Sequence, residues 1–64
     1  MKVQVAADDR LLTTEELAEY LGVPVGTVYA WRARGIAPEA VRVGRYTRYR
    51  VSAVRAWLDA RRVS

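Results

Sequence analysis

The 64-residue chain contains no cysteine and no histidine. The first absence rules out a disulfide, a thiol nucleophile and a thiolate zinc site. The second removes the side chain that most often moves protons near neutral pH and binds metals. The acids Asp8, Asp9 and Glu39 have no evident partner for acid–base work, and no glycine-rich phosphate loop is present. An enzyme is therefore not expected, and no metal or cofactor is implied. No apolar run approaches the roughly 20 residues that span a bilayer. The first nine residues also lack the apolar core of a signal peptide. A single small cytosolic domain is the expectation, close to the lower size at which chains fold unaided. A hydrophobic fraction of 52% suffices for a compact core.

What the chain does have is arginine, unevenly placed. Residues 1–40 carry four cations (Lys2, Arg10, Arg32 and Arg34) and six acids, for a net −2. Residues 41–64 carry seven arginines and only Asp59, for a net +6. That asymmetry suggests a polyanionic partner met mainly by the C-terminal half. A solvated surface in an arginine-rich proteome would give the same composition, so charge alone leaves nucleic acid open.

Residues 1–10 are polar or small and lack helical periodicity, which predicts a flexible arm, although Val3 and Val5 alternate as a short edge strand would. The domain itself is expected over residues 11–62. Thr13 followed by Glu16 is a capping-box pattern, with Glu15 and Glu16 suited to a helix start. Leu17, Ala18 and Leu21 share one face, and Gly22 ends the helix. Leu11 and Leu12 can staple its entry. A second helix follows from about Pro24 or Val25 to Arg34, closed by Gly35. Val28 and Trp31 lie on one of its faces. The opposite face carries Gly26, Tyr29, Ala30 and Ala33, flanked by Thr27 and Arg34. Small residues on an exposed face let a helix backbone approach another surface. Helix propensity explains the alanines equally well, but not Gly26. Val41–Val43, the turn Gly44-Arg45 and Tyr46–Arg50 read as a hairpin that must pack on the helices. Ser52 is expected to cap a third helix with Val54, Trp57 and Leu58 on its inner face. Trp31 and Trp57 are expected to be buried on opposite sides of one core. The fold class is then mainly α with a β-hairpin wing: three helices and a two-stranded wing in a winged helix-turn-helix.

The order of these elements resembles the excisionase-type DNA-binding domains, the recombination directionality factors of phages and mobile elements, within the MerR-like winged-helix group. The resemblance covers about Leu11 to Leu58. Leu12-Thr13-Thr14-Glu15-Glu16-Leu17-Ala18 is similar to the opening helix of that family. Leu21-Gly22-Val23-Pro24, Thr27-Val28-Tyr29 and Arg34-Gly35 resemble its turn and recognition helix. Val41-Arg42-Val43-Gly44-Arg45 with Arg48 resembles its wing, and Ala56-Trp57-Leu58 its closing helix. Pro24 stands where the family usually has Ser.

The resemblance implies a second helix in the major groove of double-stranded DNA. Thr27 and Tyr29 would sit at or near base edges, with Arg34 and Arg32 on phosphate. Arg45 and Arg48 would lie on the adjacent minor groove or its phosphates. Arg42 and Arg50 are weaker choices, since alternate strand positions point away, and Arg61 and Arg62 read as a solvated tail. The implied partners are DNA, an integrase and further copies of the chain side by side on repeated sites. Seven residues follow Trp57, too few for a coiled-coil helix, so a monomer in solution is expected. Three functions compete at this point: an excisionase, a small transcription regulator of the same fold, and a protein-interaction module whose basic face meets an acidic partner.

Overall fold

A computed structural model describes residues 9–63. Of the arm expected over residues 1–10, residues 1–8, with the Val3 and Val5 strand, lie outside the described residues. Asp9 and Arg10 are tied down. The Arg10 carbonyl accepts from the Val51 amide at 2.9 Å, and the Asp9 carboxylate accepts from the Ser52 hydroxyl at 3.0 Å.

The elements run β1 (Leu11–Leu12), α1 (Thr14–Leu21), α2 (Val25–Arg34), β2 (Val41–Val43), β3 (Tyr46–Arg50) and α3 (Val51–Asp59). The three helices and the wing form as the sequence predicts, with one addition: Leu11 and Leu12 do more than staple α1. They pair antiparallel with β3, so the wing extends into a three-stranded sheet of order β1-β3-β2. No helix among the described residues is long and apolar enough to cross a membrane.

Two copies of one device set the helix-turn-helix. The Thr13 hydroxyl accepts from the Glu16 amide at 3.0 Å, and the Glu16 carboxylate accepts from the Thr13 amide at 2.9 Å, completing the capping box of α1. At its other end Gly22 takes φ 73°, which costs glycine little, and the Gly22 and Val23 amides donate to the Glu19 and Ala18 carbonyls. Gly35 repeats this at the end of α2 with φ 74°, its amide and that of Ile36 bonding the Arg32 and Trp31 carbonyls. Between the helices remain only Gly22, Val23 and Pro24. Pro24 is extended and caps α2 without a side-chain bond.

The core comprises Leu12, Leu17, Ala18, Val28, Tyr49, Val51 and Val54, with Leu21, Val23 and Trp31 packed against it. Each fully buried large side chain here is worth about 1.5–3 kcal/mol by area. Three expectations are corrected. Ser52 does not cap α3: the helix begins at Val51 directly out of β3, with Arg50 as an extended cap residue lacking a side-chain bond. The Arg10 carbonyl takes up one of the free amides of its first turn instead. Val51 and Val54 are buried on the inner stripe, whereas Leu58, on the same stripe but in the last turn of the helix, is 39% exposed. Trp31 and Trp57 do not flank the core from opposite sides. They are half-buried at one edge of it and meet each other, ring centroids 5.4 Å apart and tilted by 45°. The Trp57 Nε1 donates to the Ile36 carbonyl at 2.8 Å, which holds the ring near the surface where its polar edge finds a partner.

Candidate nucleic-acid interface

With Val28 buried and Trp31 on the core, the opposite side of α2 faces solvent. Gly26, Tyr29, Ala30 and Ala33 are all exposed, Tyr29 at 48%. This strip is shallow except for the Tyr29 ring. A Cβ added at Gly26 would meet nothing within 4 Å, so the fold places no demand for glycine there. Thr27 is half-buried at the margin of the strip. Arg32 and Arg34 occupy the last turn, where cations suit the negative end of the helix dipole. The Arg32 guanidinium lies 6.0 Å from the centre of the Tyr29 ring. The structure thus groups Tyr29 with Arg32, while Arg34 is exposed on the other flank of α2, on the side of Thr27.

The hairpin turns tightly. Val43 pairs with Tyr46, leaving Gly44 and Arg45 as the two turn residues, and Gly44 takes φ 61°. Positive φ at the first turn position suits the right-handed twist of the strands. Arg45 is exposed at the tip.

Strand register decides where the other wing arginines point. Leu12 lies opposite Tyr49, and both are buried, which marks the inner face. Thr47, two residues before Tyr49, shares that face, and so does its cross-strand partner Arg42. Tyr46, Arg48 and Arg50 lie on the outer face with Val41 and Val43. Arg48 is braced there: its guanidinium donates to the Thr47 carbonyl at 2.8 Å and covers the Tyr46 ring at 5.1 Å. Arg50 pairs with Asp9 at 3.9 Å, an exposed contact worth little to stability.

Arg42, read from the sequence as pointing away, lines a surface hollow of about 210 Å³ with Arg32, Ala40, Val41 and Thr47. The hollow joins the last turn of α2 to the wing. Half of the signal for it was present in the chain: a two-residue turn at Gly44-Arg45 forces Arg42 opposite Thr47, but which face they share is set by the burial of Tyr49 against Leu12. Arg61 is not a free tail. Its guanidinium stacks 4.2 Å from the Trp57 ring and donates to the Ile36 carbonyl at 3.1 Å.

Below this surface Tyr49 is the largest fully buried side chain. Burial pushes its phenol above the ordinary value of 10.0, and the nearby Arg32 guanidinium pulls partly against that. The hydroxyl lies near Thr14 but has no hydrogen-bond partner of good geometry.

The exposed face of α2 and the wing beside it contain five arginines and no acid between Val25 and Arg34 or between Val41 and Arg48. A surface of this kind suits an anionic polymer, whose condensed cations it releases into solution on binding. Residues 11–62 match the family model described as a helix-turn-helix domain. No curated protein matches the chain.

Proposed function

The chain belongs to the helix-turn-helix domain family, membership that implies DNA binding, and on that premise we propose that it is a sequence-specific double-stranded DNA-binding protein of the excisionase type. In this reading α2 enters the major groove, its small-residue strip lying against the base edges. Tyr29 and Thr27 read or flank bases, and Arg32 and Arg34 hold phosphates. Arg45 at the wing tip, with Arg48 behind it, meets the neighbouring minor groove or its backbone. Copies load side by side on repeated sites, bend the duplex, and present it to an integrase for excision.

The observation that carries the DNA reading is the acid-free, exposed face of α2 beside a basic wing. The excisionase role rests on the resemblance of the four sequence segments, in order and at family spacing.

Fluorescence anisotropy on duplex DNA from low to moderate salt tests the binding. Four to six arginine–phosphate contacts give a slope of log K on log salt of about −4 to −5, at roughly 0.9 per phosphate. A slope near zero removes the DNA reading and leaves the protein-interaction module. Tyr29→Ala should narrow the preference for the cognate site over random DNA by about 1–3 kcal/mol. Footprinting on tandem repeats, with bending read from circularly permuted fragments, tests the excisionase role. Cooperative loading with bending supports it, whereas a stable dimer on one inverted repeat would mark a transcription regulator, since a two-fold protein matches a palindrome.

A further inference from the structure

We infer that the hollow between α2 and the wing is a seat for one DNA backbone phosphate, held jointly by Arg42, Arg32 and the Thr47 hydroxyl. The inference rests on the DNA-binding reading above and adds to it a residue, Arg42, that strand alternation in the sequence had set aside.

Three observations point to the seat. Arg42 and Thr47 are directly opposed on the inner face of the hairpin, with Arg32 reaching the same hollow from the last turn of α2. No acid lines that hollow, and among the described residues no ion pair or hydrogen bond engages the Arg42 side chain. Two arginines line one hollow with no acid among its lining residues, and an anion bound there would supply the missing counter-charge. Arginine forks match phosphate oxygens in pairs of parallel bonds, and a threonine hydroxyl supplies a third donor. A phosphate clasped from both sides would fix the wing relative to α2, so its effect is to set where α2 sits along the groove rather than which bases it reads.

The test is anisotropy of the full chain on a random-sequence duplex across a salt series, for the unmodified protein, Arg42→Ala, Arg32→Ala, the double variant and Thr47→Val. Circular dichroism confirms that each is folded, and Arg42→Lys serves as a second variant that keeps the charge and loses the fork. Each arginine variant should bind roughly tenfold more weakly, the scale of one charge-assisted contact. Because one phosphate is shared, each single variant should leave the salt slope nearly unchanged, since the remaining arginine still neutralises that phosphate. The double variant should lower the slope by about 0.9, rather than about 1.8. Thr47→Val should weaken binding several-fold with no change of slope, and Arg42→Lys should keep the slope while losing affinity. A steep slope in the unmodified protein with Arg42→Ala indistinguishable from it in affinity would overturn the seat and leave the DNA reading intact. A slope loss of about 1.8 in the double variant would mean two separate phosphates and overturn the sharing. No salt-sensitive binding by the unmodified protein would remove the DNA reading itself.

Discussion

Replacing Gly26 by alanine separates what the fold needs from what a partner needs. Gly26 is the second residue of α2, and its φ is not positive. A Cβ there meets open space within the chain. Alanine is favoured over glycine by about 1 kcal/mol in a helix interior and by less near an end. Gly26→Ala should therefore stabilise the free domain by about 0.5 kcal/mol, raising the melting temperature by roughly 2–4 °C in a chain of this size. On DNA the sign should reverse. Gly26 shares its face with Tyr29, Ala30 and Ala33, so a methyl group added there stands between the α2 backbone and the groove. Forcing one into a packed contact costs about 1–3 kcal/mol, which weakens binding by about fivefold to about 150-fold. Thermal denaturation followed by circular dichroism and anisotropy on the same sample read both effects. A variant that is more stable and binds equally well would refute close approach of α2 at this turn. A less stable variant would refute the claim that the fold is indifferent to the side chain.

Tyr49→Phe removes a buried hydroxyl that has no good partner, so stability at neutral pH should be unchanged or slightly higher, whereas Tyr49→Ala should cost about 3–5 kcal/mol and unfold a domain this small. The raised phenol of Tyr49 stabilises the fold fully below the unfolded value of 10.0, and that contribution is lost as pH rises through the folded value. Alkaline unfolding monitored by circular dichroism should therefore begin above about pH 10 and move to higher pH in Tyr49→Phe. Thr13→Ala breaks the capping box and should cost about 1 kcal/mol in urea unfolding. Trp57→Ala should cost about 2 kcal/mol, below the range for fully buried tryptophan because the ring is half-buried, and a folded variant with normal stability would show that the contacts to Trp31, Ile36 and Arg61 contribute nothing.

The helix-turn-helix was legible because its signals are local. A capping box needs only Thr13 and Glu16, and a left-handed helix stop needs only a glycine followed by an apolar residue. Gly22-Val23 and Gly35-Ile36 both supply one. The third helix was legible in existence but not at its start. Ser52 is a good cap residue, yet β3 runs into α3 without a break, and one free amide of the first turn, that of Val51, is met by the Arg10 carbonyl some 40 residues earlier in the chain. A contact at that sequence separation leaves no local trace. Leu58 keeps the stripe of Val51 and Val54 but lies in the last turn and is 39% exposed, and Trp57 meets Trp31.

The wing shows most clearly what was missing. Tyr46-Thr47-Arg48-Tyr49-Arg50 puts a tyrosine on each face, so hydrophobicity at period two does not say which side is inner. Tyr49 is fully buried and Tyr46 is 56% exposed, although the two have the same side chain. The choice is made by β1: Leu12 pairs with Tyr49 and draws it over α1, and every other residue of the hairpin then follows by alternation. Arg42 and Thr47 turn toward α2, and Arg48 turns away from it. A two-residue strand that the sequence offered only as a helix staple thus decides which arginines can work beside α2. If that is so, weakening β1 should loosen the wing before it melts the helices. Leu12→Ala removes a buried anchor at a cost of about 2–5 kcal/mol, and a partly destabilised variant such as Leu12→Val should lose hydrogen-exchange protection in Tyr46–Arg50 more than in Leu17–Leu21. Equal loss in both segments would mean that β1 supports the core as a whole and does not separately set the wing.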